Sequence, residues 1–413
     1  MKKIGFIGIG KLGLDCAEVM AEKHEVRGYD IYPRTSESVK VCGIEELVDE
    51  SEWIFIAVPT PHAEGYDGSV PSSHMEPRDF GHGAVIDAIN NVNRYAKTSK
   101  KVVLISTVLP GTTRKHFYPL LDAKHQFLYN PYLIAMGSVK WDMVNPEMIM
   151  IGTEDGNPTA LAGELRALYD TVMQNNPRYE IGTWDECEAI KIFYNTFISA
   201  KVGLVNMIQD FAMRIGHINV DVVTNALARS TMRIMGPKYM TAGMGDAGAC
   251  HPRDNIALRW LAKEYNLGYD LFDTVMHARE IQAKNLAHYL VDLSVMNDDM
   301  QIVIHGKAYK PDVEYCIGSY STLVGHYIEQ EGREVVYVDP LADNQDQVVK
   351  NVDGPAIFLW AHNRKITYEY TGDQADTKPY CDIAPGSIIV DPWRKLESTT
   401  DVEVVHYGNT RNS

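Results

Sequence analysis

Residues 3–13 read Lys3-Ile4-Gly5-Phe6-Ile7-Gly8-Ile9-Gly10-Lys11-Leu12-Gly13, and the architecture of the chain follows from them. Ile4 to Ile7 has the continuous apolar character of a strand buried on both faces. It runs directly into GxGxxG and then into a helical stretch reaching about Lys23. A second strand, Glu25 to Tyr29, ends at Asp30. Strand, glycine turn, helix, strand and acidic residue in that order make the dinucleotide-binding fingerprint in its required setting. Gly8 permits the tight turn, Gly10 lets a pyrophosphate reach the backbone, and Gly13 lets helix and strand pack closely. Lys11 and Leu12 complete the turn, and the phosphates rest on the helix N-terminus. Asp30 is placed to bond ribose hydroxyls and to repel a 2′-phosphate, which favours NAD over NADP. Arg34, close behind, keeps NADP open.

Two more buried strands follow, Trp53 to Val58 and Val102 to Ser106, the first ending at Pro59-Thr60-Pro61 and the second at Thr107. The carboxyl ends of parallel strands line the ligand crevice, so Val58, Pro59, Thr60 and Thr107 either meet the cofactor or serve as turn residues. Pro110-Gly111 opens a helix. Gly65 to Gly83 is polar and irregular, an exposed excursion. Phe127 to Tyr129 and Met148 to Ile151 read as strands, and Asn157-Pro158 caps a helix reaching about Met173. Asp185 to Ile215 is a helical pattern with only Gly203 inside it, a length that suits a domain link or an oligomer interface. Lys191 and Asn195 lie four apart on one face of it, among alanines and aromatics that predict partial enclosure.

A further helix, Leu271 to Leu293, precedes a new α/β unit. Its strands are Gln301 to His305, Glu334 to Val338, Ala356 to Trp360 and Ser387 to Val390, with a helix from Ser319 to Glu331. The expected fold is therefore α/β, with two doubly wound, Rossmann-like parallel-sheet domains joined by a long central helix. The expected divisions are a dinucleotide domain at 1–184, a central helical region at 185–296, and a second α/β domain at 297–413. The loop Gly306-Lys307-Ala308-Tyr309-Lys310-Pro311 offers two cations, either phosphate contacts or surface lysines.

Composition narrows the partners. A formal net charge of -16 argues against nucleic acid or an anionic membrane surface. The six cysteines are scattered without CxxC, and the histidines form no ligand set, so neither a disulfide framework nor a metal site is expected. A reducing, cytoplasmic setting fits. Strand character begins at Lys3, so no signal peptide is expected, and no apolar run approaches the ~18 residues that span a bilayer.

Gly243-Met244-Gly245-Asp246-Ala247-Gly248-Ala249-Cys250-His251-Pro252-Arg253-Asp254 is a loop of small residues that delivers one cysteine to a helix start. Amide N–H groups and the helix dipole there ease thiolate formation. Taken alone, Cys250 is equally well an inert cysteine in a turn.

Together these stretches resemble the nucleotide-sugar 6-dehydrogenases, the group containing the UDP-glucose and GDP-mannose dehydrogenases. The fingerprint, Val58-Pro59-Thr60-Pro61 and Ser106-Thr107-Val108 resemble its NAD domain. Glu188-Ala189-Ile190-Lys191 with Asn195 resembles its central helix, and Gly243 to Asp254 its active-site loop. Gly306 to Pro311, Asp339-Pro340, Ala361-His362 and Asp391-Pro392-Trp393-Arg394 resemble its C-terminal domain. The resemblance implies a two-step, four-electron oxidation of the C6 alcohol of a nucleotide-diphosphate hexose, UDP-glucose to UDP-glucuronate being the first guess, with NAD as acceptor. Lys191 and Asp254 handle protons around a water, Lys191 and Asn195 hold the reacting oxygen, and Thr107 borders the catalytic group. Cys250 forms a thiohemiacetal and then a thioester. Arg233 reaches the substrate of a neighbouring subunit in a homodimer built through the central helix. Tyr239, Gly243, Gly248, Lys310 and Arg394 meet the nucleotide sugar.

The chain departs from the family pattern where it reads Asn130-Pro131-Tyr132-Leu133-Ile134-Ala135-Met136. Two family glutamates are replaced there by Tyr132 and Met136. The arginine expected after the Lys310 loop falls at about Ile317, and His251 follows the cysteine. Two other functions stay open on these grounds: a single-oxidation 3-hydroxyacid-type dehydrogenase, and a catalytically degenerate protein that binds NAD and a nucleotide sugar.

Overall fold

In the computed structural model two units divide the chain, Met1–Lys201 and Val202–Ser413. The residues described are 1–61, 64, 76, 78–135, 137–215, 217–236, 241–246, 251–364 and 378–409.

The first unit is an eight-stranded sheet: β1 (Lys3–Ile7), β2 (Glu25–Tyr29), β3 (Lys40–Val41), β4 (Trp53–Ile56), β5 (Lys101–Leu104), β6 (Gln126–Tyr129), β7 (Met148–Thr153) and β8 (Arg178–Thr183). Their order is β3-β2-β1-β4-β5-β6-β7-β8, parallel except for an antiparallel β6–β7 pair. Alternation along the strands feeds two cores. Phe6, Trp53 and Phe55 enter one with helices α1 (Gly13–Ala21), α4 (Val139–Val144) and α5 (Ala160–Tyr169). Ile7, Ile54 and Ile56 enter the other with α2 (Ile44–Glu50) and α3 (Gly83–Tyr95). Each such fully buried side chain contributes about 1.5–3 kcal/mol, which explains why the strands read as continuous apolar runs. Chain order reverses between β1 and β4, and their carboxyl ends open a crevice there.

Helix α6 (Trp184–Ile215) closes the first unit and runs into the second, where α7 (Val220–Ala228), α8 (His251–Glu264) and α9 (Leu271–Met296) follow. The second sheet holds β9 (Gln301–His305), β10 (Val335–Val338), β11 (Ala356–Trp360), β12 (Ile388–Asp391) and β13 (Glu403–His406), with α10 (Tyr320–Gln330) between β9 and β10. Its order is β10-β9-β11-β12-β13, all parallel. Helix α10 buries Tyr320, Val324 and Ile328, spaced by four, against Leu286 and Leu290 of α9. Here the order reverses between β9 and β11.

Several expectations are corrected. Pro110-Gly111 opens no regular α-helix but a π-helical turn at Thr113–Phe117 and a single 3-10 turn at Tyr118–Leu120. The cap of α5 is Thr159, whose hydroxyl accepts from Ala162 N–H, and the helix stops at Tyr169. Most of the expected excursion at Gly65 to Gly83 lies outside the described residues.

Candidate active site

The fingerprint glycines differ in what surrounds them. Gly8 has φ +95°, a backbone that only glycine adopts without strain. A Cβ on Gly13 would fall 1.9 Å from the Gly8 carbonyl oxygen. A Cβ on Gly10 would meet nothing closer than Asp30 Oδ2 at 3.9 Å. Gly8 and Gly13 thus seal the turn, while Gly10 leaves open the space a pyrophosphate needs.

Two cavities share Gly10, Val58 and Pro59. One, of about 500 Å³, is bounded by Gly8, Asp30, Tyr32, Arg34, Asp87 and Asn91. Asp30 accepts from Tyr32 N–H at 2.9 Å, and this fixes the carboxylate beside the cavity. A ribose with two hydroxyls fits those donors and acceptors. The other, of about 470 Å³, reaches from Lys11, Leu12 and Gly13 past Thr60 and Thr107 to Lys191. The residues present therefore fit an extended dinucleotide, with Asp30 bordering one of the two joined cavities and Lys191 the other.

The strand ends that floor the second cavity are stitched together. Thr60 Oγ1 donates to the Thr107 carbonyl at 2.6 Å, and Ser106 Oγ to the Val58 carbonyl at 2.6 Å. Beyond Thr107 the chain is held by Glu188, a fully buried carboxylate that accepts from Gly111 N–H at 2.6 Å and Thr113 N–H at 2.8 Å. Burial pushes its carboxyl pKa up. Glu188, Lys191 and Asn195 lie at i, i+3 and i+7, hence on one face of α6. Lys191 is half-buried, and its Nζ donates to the Tyr132 carbonyl at 2.6 Å. Burial lowers its pKa. Asn195 is exposed, so the expected enclosure of this face reaches Lys191 and stops there.

Tyr132 stands where the resemblance expects a glutamate, and its ring turns away into the core. Its hydroxyl lies 2.7 Å from that of Tyr169, which donates to Asn130 Oδ1 at 2.5 Å. Among the described residues no carboxylate lines the cavity around Lys191. Cys16, which also lines that cavity, is buried, and burial with Asp15 nearby pushes its thiol up to about 12. It is no nucleophile near neutral pH.

In the second unit a cavity of about 100 Å³ lies at the carboxyl ends of β9 and β11, between Met244, Gly245, Lys310, Tyr320, Asn363 and Trp393. Lys310 Nζ sits 5.2 Å from the Tyr309 ring centre. Lys307 is not its companion. It is buried, donates to Asn344 Oδ1 at 3.3 Å and to the Asp346 carbonyl, and lies over the Tyr337 ring. The two cations of that loop thus part company, one to structure and one to the cavity. Arg394, at φ +56°, donates to the carbonyls of Pro392, Tyr407 and Ala242. Arg233 and Gly243 are exposed, and Ile317 is an exposed apolar residue. Helix α8 begins at His251, directly after Cys250, and Asp254 belongs to its first turn. Cys250, Tyr239, Gly248 and Met136 lie outside the described residues, as does the side chain of Asp254. No group of histidine, cysteine and carboxylate side chains suited to a metal occurs among the described residues.

Comparison with known proteins agrees across the chain. The NAD binding domain model of the UDP-glucose/GDP-mannose dehydrogenase family matches residues 32–173, and the central domain model of the same family matches residues 185–280. UDP-glucose 6-dehydrogenase of Gallus gallus is 24% identical over 445 residues, covering 98% of this chain and 86% of that protein. The enzyme of that name from Bacillus subtilis is 24% identical over 376 residues, covering 83% and 77%. A crystal structure of a ternary complex of GDP-mannose dehydrogenase from Pseudomonas aeruginosa superposes with a TM-score of 0.77 at 18% identity, covering 97% of this chain and 99% of that one. At that identity the superposition speaks for the fold alone.

Proposed function

The chain belongs to the UDP-glucose/GDP-mannose dehydrogenase family and is an NAD-dependent nucleotide-sugar dehydrogenase; from that premise we propose that it oxidises the C6 alcohol of a nucleotide-diphosphate hexose to the carboxylate. UDP-glucose is the first candidate, followed by UDP-linked amino sugars and GDP-mannose. NAD supplies the hydride acceptor for each of the two oxidations. Gly10 and Asp30 would hold it by its pyrophosphate and ribose. The observation that carries the reading is a half-buried lysine, its pKa lowered by burial, at the far end of the cofactor cavity. Such an amine can take a proton from an alcohol and then stabilise the oxyanion that develops.

In this reading Lys191, with Asn195 and Asp254, handles the proton and the oxygen at C6. Cys250 adds through sulfur to the aldehyde carbon, giving a thiohemiacetal. Its oxidation leaves a thioester, which water cleaves to the carboxylate and the free thiol. Lys310 and Tyr239 would contact the nucleotide sugar. Arg233 would reach into a second subunit. An apolar stripe on α6 supports a homodimer, since Phe193, Phe197, Ile198, Leu204 and Val205 are all exposed. No helix among the described residues is long and apolar enough to cross a membrane.

A screen of UDP- and GDP-sugars with NAD tests the proposal. Two NADH per sugar and a Cys250-linked sugar thioester in the mass spectrum are expected. One NADH per substrate would return the chain to single oxidation. Ligand binding with no NADH would make it a binding protein. Cys250→Ser is expected to abolish uronate formation while leaving NAD binding intact.

A further inference from the structure

We propose that Arg279 is a positioning residue for the cysteine-bearing loop, acting through Asp246. The inference rests on the reading of Cys250 as nucleophile. Arg279 projects from α9 and is 8% exposed. Its Nε donates to Asp246 Oδ1 at 2.7 Å and to the Asp246 carbonyl at 3.1 Å. Its Nη2 donates to the Gly318 carbonyl at 3.4 Å, and its guanidinium carbon lies 5.4 Å from the Tyr320 ring centre. The Tyr320 hydroxyl donates in turn to the Arg279 carbonyl at 3.4 Å. One side chain thus joins two separate segments: Asp246, four residues before Cys250, and Gly318, at the entry to α10.

The described stretch of that loop, 241–246, is held near both of its ends. Glycines at 243 and 245 leave it more backbone freedom to lose than any other residue would. What shapes it is contact with aromatic rings. A Cβ on Gly243 would fall 2.2 Å from the Trp393 ring, and one on Gly245 would fall 2.2 Å from the Tyr320 ring. The segment lies flat on these two rings. At its start Arg394 Nη2 donates to the Ala242 carbonyl at 2.7 Å, and at its end Arg279 grips Asp246. Both arginines come from the packed body of the second unit. The planar fork of Arg279 serves a carboxylate and a carbonyl at once, which an ammonium group cannot do in the same geometry. A nearly buried guanidinium also needs its carboxylate, so the pair holds each partner in place. Tyr320 and Gly245 border the 100 Å³ cavity, so Arg279 sits behind that wall as well.

The test uses Asp246→Asn, Arg279→Lys and the double variant of the full-length protein, with steady-state kinetics on the sugar nucleotide identified by the screen. Asp246 is partly exposed, so its variant keeps the test open should Arg279→Lys fail to fold. Loosening a nucleophile by about 1 Å costs on the order of 100-fold in rate, so kcat is expected to fall roughly 10–100-fold in each single variant. The KM for the sugar nucleotide is expected to rise and the dissociation constant for NAD to stay within about twofold. The double variant should be little worse than either single one, because the two residues act as a unit. Unchanged kcat and sugar KM in Asp246→Asn would overturn the proposal, as would an equal loss of NAD binding, which marks general damage. Cys250→Ser run alongside separates this inference from its premise. Uronate formation by that variant removes the nucleophile. An inactive Cys250→Ser beside an undisturbed Asp246→Asn removes only the clamp.

Discussion

The amine of Lys191 is held 2.6 Å from the backbone carbonyl of Tyr132, a neutral acceptor, while the Tyr132 side chain points into the core. A carboxylate in that place would hold the ammonium charged. A carbonyl does so less strongly, and burial then sets the direction of the lysine pKa, downward.

Two outcomes follow for Lys191. If its neutral amine accepts the proton, log kcat rises with pH through a value below the ordinary 10.5 and levels off above it. The sign for stability is the same. A folded-state pKa below the unfolded one means that the unfolded chain binds more protons between them, so stability is full above 10.5 and is lost as pH falls through the lowered value. Lys191→Met is therefore expected to abolish turnover yet raise Tm near neutral pH, by about 2–4 °C for each kcal/mol relieved. A calorimetric scan showing a lower Tm would count against a strained, buried amine.

Gly10→Ala and Gly13→Ala separate binding from folding within one motif. The methyl group at 13 would meet backbone, the Gly8 carbonyl, which cannot yield. A loss of about 3 kcal/mol or more is expected, seen as a Tm roughly 6–12 °C lower. The methyl group at 10 enters open space, so Tm should hold while NAD affinity falls roughly tenfold or more. Titration calorimetry and thermal melts on the pair check both halves. Equal melting losses would mean that Gly10 serves only the turn.

Glu188→Gln tests the tie between α6 and the loop after Thr107. An amide offers one acceptor oxygen where the carboxylate offers two, and its NH₂ confronts a backbone N–H. A loss of about 1–3 kcal/mol is expected. Burial raises the Glu188 pKa, so the folded chain holds the proton more tightly. Stability from this group is then greatest below 4.5 and falls as pH rises through the raised value. That slope should be absent in the glutamine variant, which urea melts between pH 4 and 8 can follow.

The legible parts of this chain are those whose cause is local. The fingerprint, the strand ends at Thr60 and Thr107 and the length of α6 follow from runs of adjacent residues. The edge strands β8 and β13 escape such reading because they are only partly buried and show no unbroken apolar run. Helix α3 follows the polar stretch before Gly83 and carries no side-chain cap to announce it. Site residues escape when their partners are distant in sequence. Glu188 meets Gly111, Lys191 meets Tyr132, and Arg279 meets Asp246, and no short window contains either pair member's reason. Lys307 and Arg394 show the converse. Their residue types suggest phosphate, but nearby carbonyls and side-chain acceptors already occupy them.

On the proposed reading, Asp30 is the residue that selects between the two nicotinamide cofactors. Its carboxylate borders the 500 Å³ cavity, fixed by the Tyr32 amide, and Arg34 borders the same space. Removing the carboxylate takes away a charged acceptor for the ribose and also the charge that repels a 2′-phosphate. Asp30→Ala is expected to weaken NAD binding by about 1–3 kcal/mol. Arg34 remains to pair with a 2′-phosphate, so NADP binding should strengthen in the same variant, and Asp30→Ala/Arg34→Ala should lose that gain. Dissociation constants for both cofactors in the three proteins give the answer. An unchanged NAD constant in Asp30→Ala would place the ribose elsewhere in the cavity, and NADP binding indifferent to Arg34 would leave the carboxylate alone as the source of selectivity.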